Sequence, residues 1–260
     1  MARISFLRGR FLLMALLALA ATGAVAAQRT TVSNVILVHG AWADGSSWSK
    51  IIRVLAADRV RIVAPPLPLT SFHDDVTALD RALERVQGPV VLVGHAYAGA
   101  VIAATRSDNV KALVYVAALA PDERETVADL FYRTVSHPLA PKLAPDRHGL
   151  IYLPAEAFAA AFAQNAAPDE QAVLAAVQRP ISPACITVAV PRPLWKDRPA
   201  WFLVAEEDRM IVQDNQRFMA ERMRAQVRSH PVDHTPMVTA PDTVLGLLRE
   251  VISALGRSHS

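Results

Sequence analysis

The stretch Val90-Val91-Leu92-Val93-Gly94-His95-Ala96-Tyr97-Ala98-Gly99-Ala100-Val101 joins a buried-strand run, a tight turn and a helix start built from small residues. That context suits a nucleophile elbow, the Gly-x-Ser-x-Gly turn that holds its central residue in a strained conformation above a strand. The positions two before and two after the centre must be small, or strand and helix collide. Gly94 and Ala98 meet that demand, and Gly99 adds room. The centre itself is Ala96. A methyl group has no proton to lose and no lone pair to attack with, so no acyl-enzyme can form there. Cys185 is the single cysteine, which excludes an internal disulfide and any Cys-x-x-Cys metal or redox pair. No metal-ligand spacing and no phosphate-cradling glycine loop is present, so no metal and no cofactor is expected.

An elbow needs a strand beneath it and a sheet around that strand. Short apolar runs recur at Val35–Val38, Val60–Val63, Val90–Val93, Ala112–Val116 and Trp201–Val204, with a weaker one at Ala225–Arg228. Continuous runs of this length suit strands buried on both faces, as in a parallel sheet. Between them, apolar spacing predicts helices over 48–57, 75–86, 213–223 and 243–255. The alternation predicts an α/β fold, a mostly parallel sheet flanked by helices. Residues 121–196 break the rhythm: they hold ten of the eighteen prolines and two alanine-rich helical stretches, 155–163 and 169–177. They read as a helical cap inserted into a core formed by 27–120 and 197–260, a separate second domain being the rival arrangement.

Composition narrows the function classes. Hydrophobic residues are 52% of the 260 and charged residues 20%, which supplies a core and excludes a disordered chain. The formal charge is +3, and Arg3, Arg8 and Arg10 account for it. The rest has no basic excess, so no nucleic-acid partner is expected. Those arginines precede an apolar run, Phe11 to Ala21, and the small-x-small triplet Ala24-Val25-Ala26. Residues 1–26 thus read as a cleaved signal peptide, with the mature protein periplasmic or secreted. A spanning helix needs about 20 apolar residues. Thr22, Gly23 and Arg29 break this run, so no stable membrane association is expected after cleavage.

Taken in order, VILVHGAWADGSSW (35–48), VVLVGHAYAGAVI (90–102), ALVYVAALAPD (112–122), FLVAEEDRMI (202–211) and VDHTPMVTAPD (232–242) resemble the α/β-hydrolase superfamily. Within it they are most similar to the small methylesterase and hydroxynitrile-lyase-like branch. The resemblance covers nearly all of the core, and the cap less. It implies a carboxylic-ester hydrolase acting on a small, largely apolar ester or related carbonyl compound. It implies that Ala96 stands at the nucleophile position, that Asp208 is the acid and that His234 is the base. It also implies an oxyanion hole from the backbone N–H groups of Ala41 and Tyr97, two donors typically worth about 2.7–4 kcal/mol each to a transition state. Trp42 is a candidate for the substrate-binding wall. Glu206 and Glu207 are rival acids, His39 and His95 read as structural, and Phe131, Tyr132, Phe158, Phe162 and Trp195 are candidates for an apolar substrate wall, with core packing as the default reading.

The alanine leaves the activity open. It is either an introduced exchange or an encoded residue, and the retained leader fits the second better. With serine absent, the serine route is expected to be weak or dead. The alternatives are general-base or lyase-like chemistry by Asp208 and His234, a pocket that only binds a small ligand, and an inert scaffold for a protein partner.

Overall fold

The computed structural model describes residues 34–257. The expected leader lies outside them. Six strands form one sheet: β1 (Asn34–Val38), β2 (Arg61–Val63), β3 (Val90–His95), β4 (Val110–Val116), β5 (Ala200–Ala205) and β6 (Gln226–His230). Their order is β2-β1-β3-β4-β5-β6, and every pairing is parallel. β1, β3 and β5 are buried along their whole length, and β4 everywhere but Lys111. The two edge strands are the least buried, with Arg61, Gln226 and Arg228 facing water. Charged side chains on an edge strand discourage another chain from pairing with it.

Helices cover both faces: α1 (Ser49–Ala57), α2 (Phe72–Glu84), α3 (Ala98–Ala104), then α7 (Gln213–Arg222), α8 (Pro236–Thr239) and α9 (Pro241–Arg257) after the segment that joins β4 to β5. α2 starts three residues earlier than its apolar spacing suggests. The Ser71 side chain accepts from Asp74 N–H and caps the helix at Phe72. α3 is seven small or aliphatic residues, all buried, which lets it lie close against the sheet.

From β1 the chain steps to β2 on one side, then to β3 on the other. The carboxyl ends of β1 and β3 therefore flank the point where strand order reverses, the place in an open α/β sheet where a crevice forms. Residues 39–42 and the turn at Ala96 lie at those two ends.

The β4–β5 segment adds no strand to this sheet. It carries α4 (Val127–Phe131), α5 (Ala155–Ala157) and α6 (Pro168–Val177), and pairs with itself through the bridge Ile151–Ile181. The continuous helix expected over 155–163 is instead one α-turn followed by a π-turn, Phe158–Phe162.

Candidate active site

Ala96 has φ of +49°, the left-handed region that a residue with a Cβ enters only at a cost, about 1–2 kcal/mol for an ordinary L residue. The turn is held from several sides. Ala96 N–H donates to Val116 O at 3.3 Å, while its carbonyl accepts from Gly99 N–H at 3.1 Å and Leu119 N–H at 3.0 Å. A Cβ on Gly94 would lie 2.8 Å from the Ala98 carbonyl, so β3 and α3 approach this closely only because Gly94 has no side chain. The loop after β1 presses on the same turn: a Cβ on Gly40 would sit 2.9 Å from that of Ala96.

Asp208 and His234 come from the loops after β5 and β6. Oδ2 of Asp208 is 2.8 Å from Nδ1 of His234, and both side chains are buried. The carboxylate is fully engaged: Oδ1 accepts from the N–H of Met210 at 2.7 Å and of Ile211 at 2.8 Å, and Oδ2 also from Gln216 Nε2 at 2.9 Å. A carboxylate partner keeps the proton on Nδ1 of His234. That leaves the Nε2 lone pair for the cavity that His234 lines. Glu206 instead binds Arg217 and Ser229, and Glu207 binds Asn165, so Asp208 is the acid that meets the imidazole.

The cavity is lined almost wholly by apolar side chains. Ala41, Trp42, Ala96, Tyr97 and His234 line it together, so the expected site residues converge on one space, with Asp208 directly behind His234. Among the described residues, neither Ala41 N–H nor Tyr97 N–H donates to a protein acceptor. Trp42 is strapped to the β4–β5 segment, its N–H bonding Arg179 O at 3.0 Å and its indole Ile151 O at 2.9 Å. Of the five aromatics weighed as wall or packing, Phe131 and Tyr132, at the C-terminal end of α4, line the space. Phe158, Phe162 and Trp195 are buried packing, and the Phe162 ring lies 5.2 Å from that of His234. No group of three or more His, Cys, Asp or Glu among the described residues is placed to hold a metal ion.

Two buried groups beside the Asp208–His234 pair escaped the sequence reading. Gln216 sits on α7, where its Oε1 accepts from Ala205 N–H while its amide holds Asp208. Asp233, beside His234, accepts from Asn165 N–H of the β4–β5 segment, Thr235 N–H and Thr239 Oγ1. A polar residue inside a helix or loop pattern reads as a solvent face, so nothing in the spacing marks either.

His39 and His95 do structural work. Leu67 N–H donates to Nε2 of His39, whose Nδ1–H then donates to Gly40 O. His95 donates from Nε2 to the carbonyl of His234 at 2.8 Å. Burial, above all, holds both imidazoles below the ordinary value of 6.5, His95 well below it. Below about pH 6.5 the unfolded chain takes protons at both and the folded chain does not, so stability falls as pH drops toward the folded values. Burial conversely raises the carboxyls of Asp75 and Asp233 above 3.8. Those two oppose the histidines only in the window between 3.8 and their raised values. Urea unfolding is expected to give a lower midpoint at about pH 6 than at about pH 7.5. An equal or higher midpoint at pH 6 contradicts this assignment.

The sequence profile of the alpha/beta hydrolase family matches residues 35–247. The chain belongs to that family. It is 31% identical over 103 residues to a pyrethroid hydrolase of Sphingobium wenxiniae, a match covering 34% of this chain and only 37% of that relative's length. Among solved structures, polyneuridine aldehyde esterase superposes with a TM-score of 0.69 at 17% identity, over 84% of this chain and 98% of that one. A variant of tomato methylketone synthase I, complexed with β-ketoheptanoate, gives 0.73 at 16% identity over 86% and 98%. These structural likenesses are likenesses of fold.

Proposed function

We propose that this α/β-hydrolase moves protons on a small, largely apolar carbonyl compound without forming a covalent enzyme intermediate. One observation carries the reading: a complete Asp208–His234 pair opens onto an apolar cavity in which residue 96 offers only a methyl group. Asp208 orients the imidazole and steadies the imidazolium that forms. Nε2 of His234 accepts or returns a proton, and the Ala41 and Tyr97 amides receive the oxygen on which charge develops. The strained turn keeps a use without serine, since it presents the Tyr97 N–H.

The lining favours lyase-type chemistry over hydrolysis. Tyr97 and Trp42 spend their polar groups on Asp75 and Ile151, so His234 is left with little help in fixing a water for attack. A 3-oxo acid, the ligand type seen in the tomato relative, suits the site. The acid first gives its carboxyl proton to Nε2 of His234; as the C–C bond then breaks, the electron pair passes into the ketone oxygen, carbon dioxide leaves, and the resulting enolate carbon takes that proton back from the His234 imidazolium. Ester hydrolysis, as in the pyrethroid hydrolase, is the expected chemistry of a serine form and is weak here. The leader pattern supports action in the periplasm or outside the cell.

The test is turnover of 3-oxoheptanoate, followed by methyl-ketone formation, beside turnover of a pyrethroid-type ester by the same purified protein. Ketone formation, with ester turnover slow and without an initial burst, is expected. A stoichiometric ester burst overturns the proposal. Tight ligand binding with neither reaction turns the site into a binding pocket instead.

A further inference from the structure

Asp75 is fully buried, yet it lies outside the cavity and touches neither Asp208 nor His234. It occupies the first turn of α2. Its Oδ1 accepts from Leu69 N–H at 2.7 Å, and its Oδ2 from the Tyr97 hydroxyl at 2.7 Å. The Cys185 thiol stands within hydrogen-bonding reach of both Asp75 and Tyr97. Cys185 belongs to the β4–β5 segment, and Ser182 N–H of that segment donates to Leu69 O at 2.9 Å. One carboxylate therefore ties together α2, the elbow and the segment that covers the cavity.

Such an arrangement is costly. Burial pushes the Asp75 carboxyl and the Tyr97 hydroxyl up, and the Cys185 thiol to about 12. Apolar side chains of similar volume are often as stable as a buried polar group, or more so. What the carboxylate adds is direction. It grips the side chain of the residue that follows Ala96. Tyr97 is also the N-terminal flank of α3, where no side-chain cap restrains the backbone.

We propose that Asp75 is a positioning residue: by anchoring the Tyr97 hydroxyl, it fixes the direction in which the Tyr97 N–H meets the substrate oxygen. This rests on the reading of the cavity given above. A misplacement of about 1 Å at a reacting centre can cost about 10²-fold in rate.

Tyr97→Phe keeps the ring and removes the anchor, so it separates direction from packing. With 3-oxoheptanoate its kcat is expected to fall about 10- to 100-fold, while KM stays within about twofold. Asp75→Asn keeps the shape, since its amide can accept from Leu69 and donate to the Tyr97 oxygen, and it is expected to lose less. Hydrogen exchange of the Gly99 and Leu119 amides, which hold the turn through the Ala96 carbonyl, is the second readout in ligand-free protein, and it needs no turnover. Loss of the anchor is expected to quicken it about tenfold or more in Tyr97→Phe. Unchanged exchange overturns the inference, whether or not the native protein turns anything over. So does a native kcat in Tyr97→Phe, or a fall in KM-dependent binding alone. If no substrate is turned over but exchange quickens, the chemistry assigned to the cavity fails and the anchor stands.

Discussion

Replacing Ala96 by serine raises hydrolysis of an activated ester by about 10³-fold or more, the scale by which a covalent unit exceeds its remaining oxyanion donors and binding contacts. The turn at residue 96 is already in the left-handed conformation that lifts its side chain above β3. Position 96 and His234 line the same space, so a new hydroxyl enters the cavity that holds the base. The imidazole is already oriented by Asp208 at 2.8 Å, and the amides of Ala41 and Tyr97, which donate to no protein acceptor among the described residues, are the donors proposed above for the oxyanion. Two readings of one experiment check this: the steady-state rate with a p-nitrophenyl ester, and the acyl adduct found on the protein by mass spectrometry. A folded serine variant that shows neither a faster rate nor an adduct means that the imidazole does not reach position 96.

That expectation draws on features that were visible in the sequence for a physical reason. Strands buried on both faces must be apolar throughout, so β1, β3, β4 and β5 announced themselves as unbroken runs. The elbow was visible because sterics leave it no choice: Gly94 faces the Ala98 carbonyl at a distance that admits no Cβ. His234 and Asp208 were legible only through resemblance, since a histidine and an aspartate in separate loops carry no spacing signal.

The covering segment was the least legible part. Residues 155–163 have helical composition, yet the chain widens into a π-turn that brings Phe162 edge-on to Trp42 and close to His234. That shape is set by partners distant in sequence. Phe131 and Tyr132 show the same limit, because an aromatic on a short helix fits a pocket wall or core packing equally well until the opposite side is known. Asp75 failed for the opposite reason. Taken as the polar start of a helix, it lies in a first turn that Ser71 sets further back, where it is wholly enclosed.

Removing the imidazole with His234→Ala is expected to lower turnover of the native chemistry by about 10²- to 10⁴-fold, the usual worth of a positioned acid or base. Asp208→Asn is expected to fall by a comparable factor, up to about 10⁴, with the fold retained. The network around residue 208 decides which way the new amide turns. Met210 and Ile211 both point N–H groups at Oδ1, so the asparagine oxygen takes that place. Its NH₂ then faces Gln216 Nε2, itself a donor, and Nδ1 of His234. Nδ1 must accept from it, the ring proton moves to Nε2, and the cavity faces a donor instead of a base. The two variants thus fail for different reasons. In His234→Ala the base is gone at every pH. In Asp208→Asn a protonated imidazole can still donate from Nε2, so a step that needs only the acid persists at low pH while a step that needs the base does not. Rates measured across pH in both variants separate the two roles. Native turnover in Asp208→Asn shows that Asp208 does not set the His234 tautomer, and then no part of the proton-transfer scheme survives.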